Sequence, residues 1–143
     1  MIFTEIKGDL FALDFSNEFC LCHCVSEDLA MGKGIAVLFR DKFGCINELR
    51  RQSKSVGQVA SLQFARSKIY YLITKPKYWD KPSYESLENA LLSLRDDMIS
   101  SDLNKLGMPR IGCGLDGLEW TIVKEVIKRV FASTSIEIVV CNK

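Results

Sequence analysis

Histidine is almost missing from this chain: His23 is the one such residue in 143. A His-built metal centre or a histidine-driven triad therefore has little to work with. Cys20, Cys22, His23 and Cys24 form a Cys-x-Cys-His-Cys run, but no second Cys or His cluster stands at ligand spacing, so neither a metal nor a cofactor is expected. His23 is read as a core histidine rather than a catalytic base. An excess of one charge is lacking as well, since 19 Lys and Arg oppose 18 Asp and Glu. That balance excludes a general polyanion binder and leaves room only for a local basic patch. No apolar run is long enough to span a bilayer, and no signal-peptide pattern opens the chain. The six cysteines lack framework spacing and read as reduced thiols, so a cytoplasmic location (or a nuclear one in a eukaryote) and no membrane partner are expected. Repeats, low-complexity segments and linkers are absent too.

What is present is apolar and evenly spread. Hydrophobic residues make up 48% of the chain and the mean hydropathy is +0.06, enough for one domain spanning residues 1–143. A monomer is expected. Residues 2–6 alternate apolar and polar and predict a first strand. Lys7, Gly8 and Asp9 break it, and Asp9 is either a turn or cap residue or an acceptor for an amine such as that of adenine. Residues 10–15 are short and apolar, a helical turn or a loop over the core. Residues 19–25 predict a second strand with Cys20, Cys22 and Cys24 on one face and Leu21, His23 and Val25 on the other.

The polar loop at residues 26–34 follows and ends in Gly32 and Gly34, ahead of a helix over 35–43 with Ile35, Leu38 and Phe39 inward. A glycine-flanked helix start suits an anion. It is neither a Walker A loop, which needs Gly-x4-Gly-Lys-[Ser/Thr], nor a dinucleotide fingerprint, since the third glycine is missing. Gly44 ends the helix, and residues 46–52 add a turn or two. The basic residues between Arg40 and Lys54 read as a solvated face or as a nucleic-acid-facing patch. Strands are predicted over 58–64 and 68–74, the second apolar on both faces and therefore central. Lys75 ends it, held extended by Pro76, where a lysine reaches into a site without full solvation. After an aromatic, proline-broken loop at 78–82, Ser83 caps a helix to about Ser100, with Tyr84, Leu87, Leu91, Leu94 and Met98 stepping by three and four. A strand over 103–111, a helix over 119–131 with Trp120, Val123, Ile127 and Val130 inward, and a strand over 135–141 complete a three-layer α/β/α sandwich with a mixed sheet.

The loop at residues 108–117 gathers three glycines, Gly112, Gly114 and Gly117, between a strand and a helix. Glycine lets backbone turn tightly and approach a bound group, and amides beside a helix start favour a phosphate. Asp116 sits in that loop, as a ligand-facing carboxylate or an ordinary helix-start residue.

Lys7 to Phe11, His23 to Asp28, Met31 to Ala36, Tyr70 to Lys75 and residues 108–118 together resemble the macrodomain family, in the same order over nearly the whole chain. The nearest branch is that of terminal ADP-ribose glycohydrolases, which also deacylate O-acetyl-ADP-ribose, with DNA-deribosylating antitoxin macrodomains nearby. The resemblance implies that ADP-ribose and ADP-ribosylated protein, acetyl or nucleic-acid conjugates are the partners. It places Asp9 at the adenine amine with Leu10 beside it, and Ser26, Gly32, Gly34 and Ile35 around the distal ribose. The backbone of Gly112, Cys113, Gly114 and Leu115 would follow the pyrophosphate and ribose, with Pro109 and Ile111 completing the binding set. Lys75 and Asp116 fall where this branch keeps its catalytic lysine and aspartate. The chain opens almost at its first strand, so an N-terminal extension like that of vertebrate-like relatives is not expected. Three functions compete on this reading: a hydrolase or deacylase, a non-catalytic ADP-ribose reader, and a nucleic-acid-binding module.

Overall fold

A computed structural model describes residues 1–15 and 18–143. Six strands form one sheet: β1 (Ile2–Lys7), β2 (Cys20–Ser26), β3 (Val59–Phe64), β4 (Ser67–Lys75), β5 (Lys105–Met108) and β6 (Glu137–Asn142). Their order is β1-β6-β5-β2-β4-β3. Every neighbouring pair is parallel except β3 with β4, which are antiparallel. The helices are α1 (Ile35–Phe43), α2 (Ile46–Arg51), α3 (Tyr84–Ser100) and α4 (Trp120–Phe131). None is long and apolar enough, among the described residues, to cross a membrane.

Period-2 alternation in β2 divides the interior as expected. Cys20 and Cys22 pack with Leu87, Leu91 and Leu94 of α3 and with Val123 and Ile127 of α4. Leu21 and Val25 face the opposite layer, against Phe39 of α1 and Leu49 of α2. The sheet is thus covered on both sides, and the middle residues of β2, β4 and β6 are largely apolar because neither face meets water there. β4 is buried on both faces as predicted but lies one strand in from the edge formed by β3. Edge strand β1 is largely exposed, with Ile2 and Ile6 turned to solvent.

Local signals set the helix bounds. Ser83 accepts from the Ser86 amide while the Ser86 hydroxyl accepts from Ser83 N–H, a closed capping box at the start of α3. In α1 the inward residues are Ile35, Ala36, Phe39 and Phe43. Leu38, expected on that face, is 51% exposed because this three-and-four stepping leaves it on the flank. The strand expected over 103–111 is shorter at both ends. Leu103 donates its amide to Met98 O and so still belongs to the end of α3, and Pro109 has no N–H with which to extend the ladder. Trp120 packs partly buried against the core, as expected, with its indole N–H donating to Glu5 Oε1 at 2.9 Å.

Candidate active site

The C-terminal ends of β2, β4 and β5 open onto one cavity of about 820 Å³, the place where ligands gather in open α/β sheets. Its chemistry begins with the register of β2 on β4. An irregularity between Val25 and Ser26 sets Ser26 opposite Lys75. The Glu27 amide then donates to Lys75 O at 2.8 Å, and the Ser86 hydroxyl donates to Thr74 O at 2.7 Å. The backbone carrying Lys75 is therefore held from both sides, and its side chain emerges at the strand end.

Asp116 reaches the same point from the glycine-rich loop. That loop closes into a 3-10 turn, Gly114–Asp116, with Gly117 N–H donating to Gly114 O and Leu118 N–H to Gly112 O. Gly112 has φ +72, and a Cβ there would stand 2.9 Å from Leu118 Cδ1. Only glycine meets both demands without strain. Lys75 Nζ and Asp116 Oδ1 lie 2.7 Å apart, with side chains 14% and 17% exposed. Removing either side chain would leave the other without its partner in a shielded site.

Opposite, the loop between β2 and α1 is organised by Asp28. Its Oδ1 accepts from the Ser26 hydroxyl and from the Ala30 amide, and its Oδ2 accepts from the Tyr78 amide. Burial pushes its carboxyl upward, but those three donors and the Lys77 charge outweigh it and hold the group below the usual carboxylate range. Leu29 and Met31 adopt φ +55 and +44 with their side chains buried. Non-glycine residues in that region carry strain that the surrounding contacts must hold. α1 follows Gly34 with no side-chain cap, and Gly34, Ile35 and Ala36 line the cavity, so an uncapped helix start, a setting that suits an anion, borders it. A Cβ on Gly34 would lie 3.5 Å from Leu115 Cδ1, so the two glycine loops approach each other across the opening.

Of the residues singled out in the sequence, Lys75, Asp116, Ser26, Gly32, Gly34 and Ile35 line this cavity. Pro109, Ile111, Gly112, Cys113, Gly114 and Leu115 line it too. Asp9 and Leu10 do not. Leu10 is buried in the core, and Asp9 caps the 3-10 turn Leu10–Ala12 by accepting from the Phe11 amide at 3.0 Å. The basic stretch between Arg40 and Lys54 also lies away from the cavity, with Arg51 paired to Glu48.

The sequence reading gave no role to Tyr78, Trp79 or Lys81, all of which line the cavity, while Met31, in the loop expected around the distal ribose, lines it too. The signal for Tyr78 and Trp79 was their place three and four residues past Lys75. His23 lies at the cavity floor, fully buried and stacked on Phe39 with ring centroids 3.8 Å apart. Neither ring nitrogen has a hydrogen-bond partner, so it is a core histidine held by ring contacts rather than by polar ones. Burial pushes its pKa down to about 3, and the imidazole is neutral. Burial also raises the Cys24 and Cys113 thiols above their ordinary range, so neither offers a thiolate at neutral pH. Among the described residues no cluster of three metal-ligating side chains occurs, and all six cysteines are free.

The Macro domain family model matches residues 22–127, the span that holds Lys75, Asp116 and the first glycine loop. The chain belongs to the Macro domain family. This macrodomain is 47% identical over 137 residues to the protein named ADP-ribose glycohydrolase OARD1 of Homo sapiens, covering 96% of this chain and 89% of that one. The macrodomain of Mycobacterium tuberculosis DarG superposes with a TM-score of 0.86 at 20% identity, covering 99% of this chain and 98% of that one. Thermosipho africanus DarTG in complex with ADP-ribose gives a TM-score of 0.83 at 20% identity, covering all of this chain and 42% of that one. The two structural likenesses establish a shared fold.

Proposed function

We propose that this macrodomain is a hydrolase that removes ADP-ribose from acidic protein side chains and deacylates O-acetyl-ADP-ribose. The relative at 47% identity carries the name of an ADP-ribose glycohydrolase, and the Lys75–Asp116 pair supplies the chemistry. That pair, 2.7 Å apart at the cavity wall, is the observation on which the reading rests, because a reader of ADP-ribose needs neither group.

The sheet supports one direction for the ligand. β1, which ends at Lys7 two residues before Asp9, and β4, which ends at Lys75, are four strand positions apart, roughly 19 Å. That matches an extended ADP-ribose with adenine toward Asp9 and the distal ribose at Lys75. The pyrophosphate then crosses the amides of the Gly112–Leu115 turn and the start of α1, an arrangement suited to anions.

Only an unprotonated amine attacks carbon. As Lys75 Nζ bonds to C1 of the distal ribose, Asp116 accepts its proton, and the C1–O bond to the acyl group breaks with its electron pair leaving on the carboxylate. Asp116 returns the proton to the departing group. The lysine-linked sugar opens to a Schiff base; Asp116, again a carboxylate, takes a proton from the water that adds at C1 and passes it to the Lys75 nitrogen, which leaves as the amine, giving free ADP-ribose and the acid. An acetyl group on the anomeric oxygen departs by the same steps.

Turnover of an ADP-ribosyl-glutamate peptide and of O-acetyl-ADP-ribose tests this, with wild type beside Lys75→Ala and calorimetry of ADP-ribose on both. The reading predicts turnover in the wild type, none in the variant, and ADP-ribose binding in both. Tight binding without wild-type turnover would make the protein a reader instead.

A further inference from the structure

We propose that Lys81 is a positioning residue of this macrodomain: by donating to the Leu115 carbonyl it holds the turn that carries Asp116, and so keeps Asp116 against Lys75. This rests on the hydrolase reading above, in which Asp116 takes the proton that Lys75 gives up.

The turn needs a hold from outside. None of its three residues, Gly114 to Asp116, is buried, and the Leu115 side chain is 64% exposed, so no apolar group roots it in the core. Gly114 and Gly117 both have positive φ, and glycine backbone has many other conformations open to it. The bonds inside the loop, Gly117 N–H to Gly114 O and Leu118 N–H to Gly112 O, set its shape without fixing where it sits against β4. Among the described residues, two hydrogen bonds reach the turn from elsewhere in the fold. One is that of Lys75 on Asp116 at 2.7 Å, which changes during the reaction because Asp116 accepts the Lys75 proton. The other is Lys81 Nζ donating to Leu115 O at 2.5 Å. It alone of the two can hold the turn while the chemistry proceeds.

Lys81 is well placed for this, because the chain that carries it is itself fastened. Pro82 follows it, buried and with its φ fixed by the ring, and Ser83 then caps α3. On the other side the Lys77 amide donates to Asp80 Oδ2, and the Asp80 amide donates to Lys77 O. The Tyr78 amide donates to Asp28 Oδ2 at 3.2 Å. Residues 77–82 thus form a strap that leaves the end of β4, ties to the loop before α1 through Asp28, and ties to the Asp116 turn through Lys81. One short stretch relates the two reacting groups, since Lys75 stands two residues before it. An ammonium on a carbonyl is a charge-assisted bond, stronger than a neutral one, and a displacement of about 1 Å at a reacting group is enough to slow the chemistry.

The test uses Lys81→Met, which keeps the stem and removes the donor, beside Lys81→Arg, which supplies a donor again. With ADP-ribosyl-glutamate peptide, kcat should fall about tenfold in Lys81→Met, the worth of one hydrogen bond to a charged group that still meets water. KM should stay within about twofold, and Lys81→Arg should recover most of the loss. Because Asp116 also releases the sugar, borohydride should trap more Lys75 adduct during turnover by Lys81→Met than by wild type, which a general loosening of the fold would not produce. A loss carried by KM alone would assign Lys81 to ligand contact and overturn the proposal. Hydrogen exchange without substrate stands apart from activity: the Gly117 and Leu118 amides, which close the turn, should exchange about tenfold faster in Lys81→Met. Unchanged exchange at both amides overturns the proposal whatever the turnover. If wild type hydrolyses no conjugate, the hydrolase reading fails, while exchange still decides whether Lys81 holds the turn.

Discussion

His23 gives this protein a pH dependence that can be worked out in advance. Its ring is fully buried, and burial lowers its pKa from 6.5 to about 3. The unfolded chain binds a proton near pH 6.5, whereas the folded one resists it until far lower. His23 therefore contributes its full stabilisation above pH 6.5 and loses it as the pH falls toward 3. Between pH 6.5 and 5 the loss amounts to about 2 kcal/mol, since each unit between the two pKa values is worth about 1.4 kcal/mol. No other imidazole competes, because the chain has one histidine. The lowered carboxyls of Asp28 and Glu5 act in the same sense but at lower pH. Urea titrations at half-unit steps from pH 7 to 5 measure the slope directly, in wild type and in His23→Phe, which keeps a ring against Phe39. The wild type should lose about 2 kcal/mol and the variant should be nearly flat. A flat wild-type profile, or an equal slope in both proteins, would refute the reasoning.

Gly112→Ala forces a Cβ to within 2.9 Å of Leu118 at φ +72. It should cost about 1–3 kcal/mol in denaturant titration and weaken ADP-ribose by calorimetry. Asp28→Ala removes the acceptor for Ser26, Ala30 and Tyr78 at once, so amides 30 and 78 should lose hydrogen-exchange protection. Stability should fall by about 1–3 kcal/mol; unchanged exchange would show that the loop holds itself. Asp9→Ala should weaken ADP-ribose by about 1.5–3 kcal/mol if its carboxylate meets the adenine amine. An unchanged dissociation constant leaves Asp9 as the cap of its turn and nothing more.

Much of this architecture is legible in the residues because it is locally encoded. The run Ser83 to Ser100 carries its own cap and its own apolar stripe, and α3 follows it residue for residue. The alternation from Cys20 to Val25 assigns both faces of β2 with no knowledge of its neighbours. Leu38 was misread since periodicity alone does not say how wide the buried stripe of α1 is. The 103–111 segment was read too long because Leu103 and Ile111 are as apolar as the strand between them; the helix end and Pro109 decide its limits. Lys75 and Asp116 were recognisable through the family resemblance, while their 2.7 Å approach depends on two loops 41 residues apart. The organising role of Asp28 was missed for the same reason: its bond from the Tyr78 amide spans 50 residues, which no local pattern announces.

The central claim is that Lys75 becomes covalently linked to the sugar and that Asp116 is needed to release it. Intact-protein mass spectrometry of Asp116→Ala incubated with ADP-ribosyl-glutamate peptide, with and without borohydride to trap a Schiff base, tests this most directly. The account predicts a mass gain of one ADP-ribosyl unit, mapped to Lys75 and absent from Lys75→Ala. An unmodified Asp116→Ala protein beside a fully active Lys75→Ala protein would contradict it.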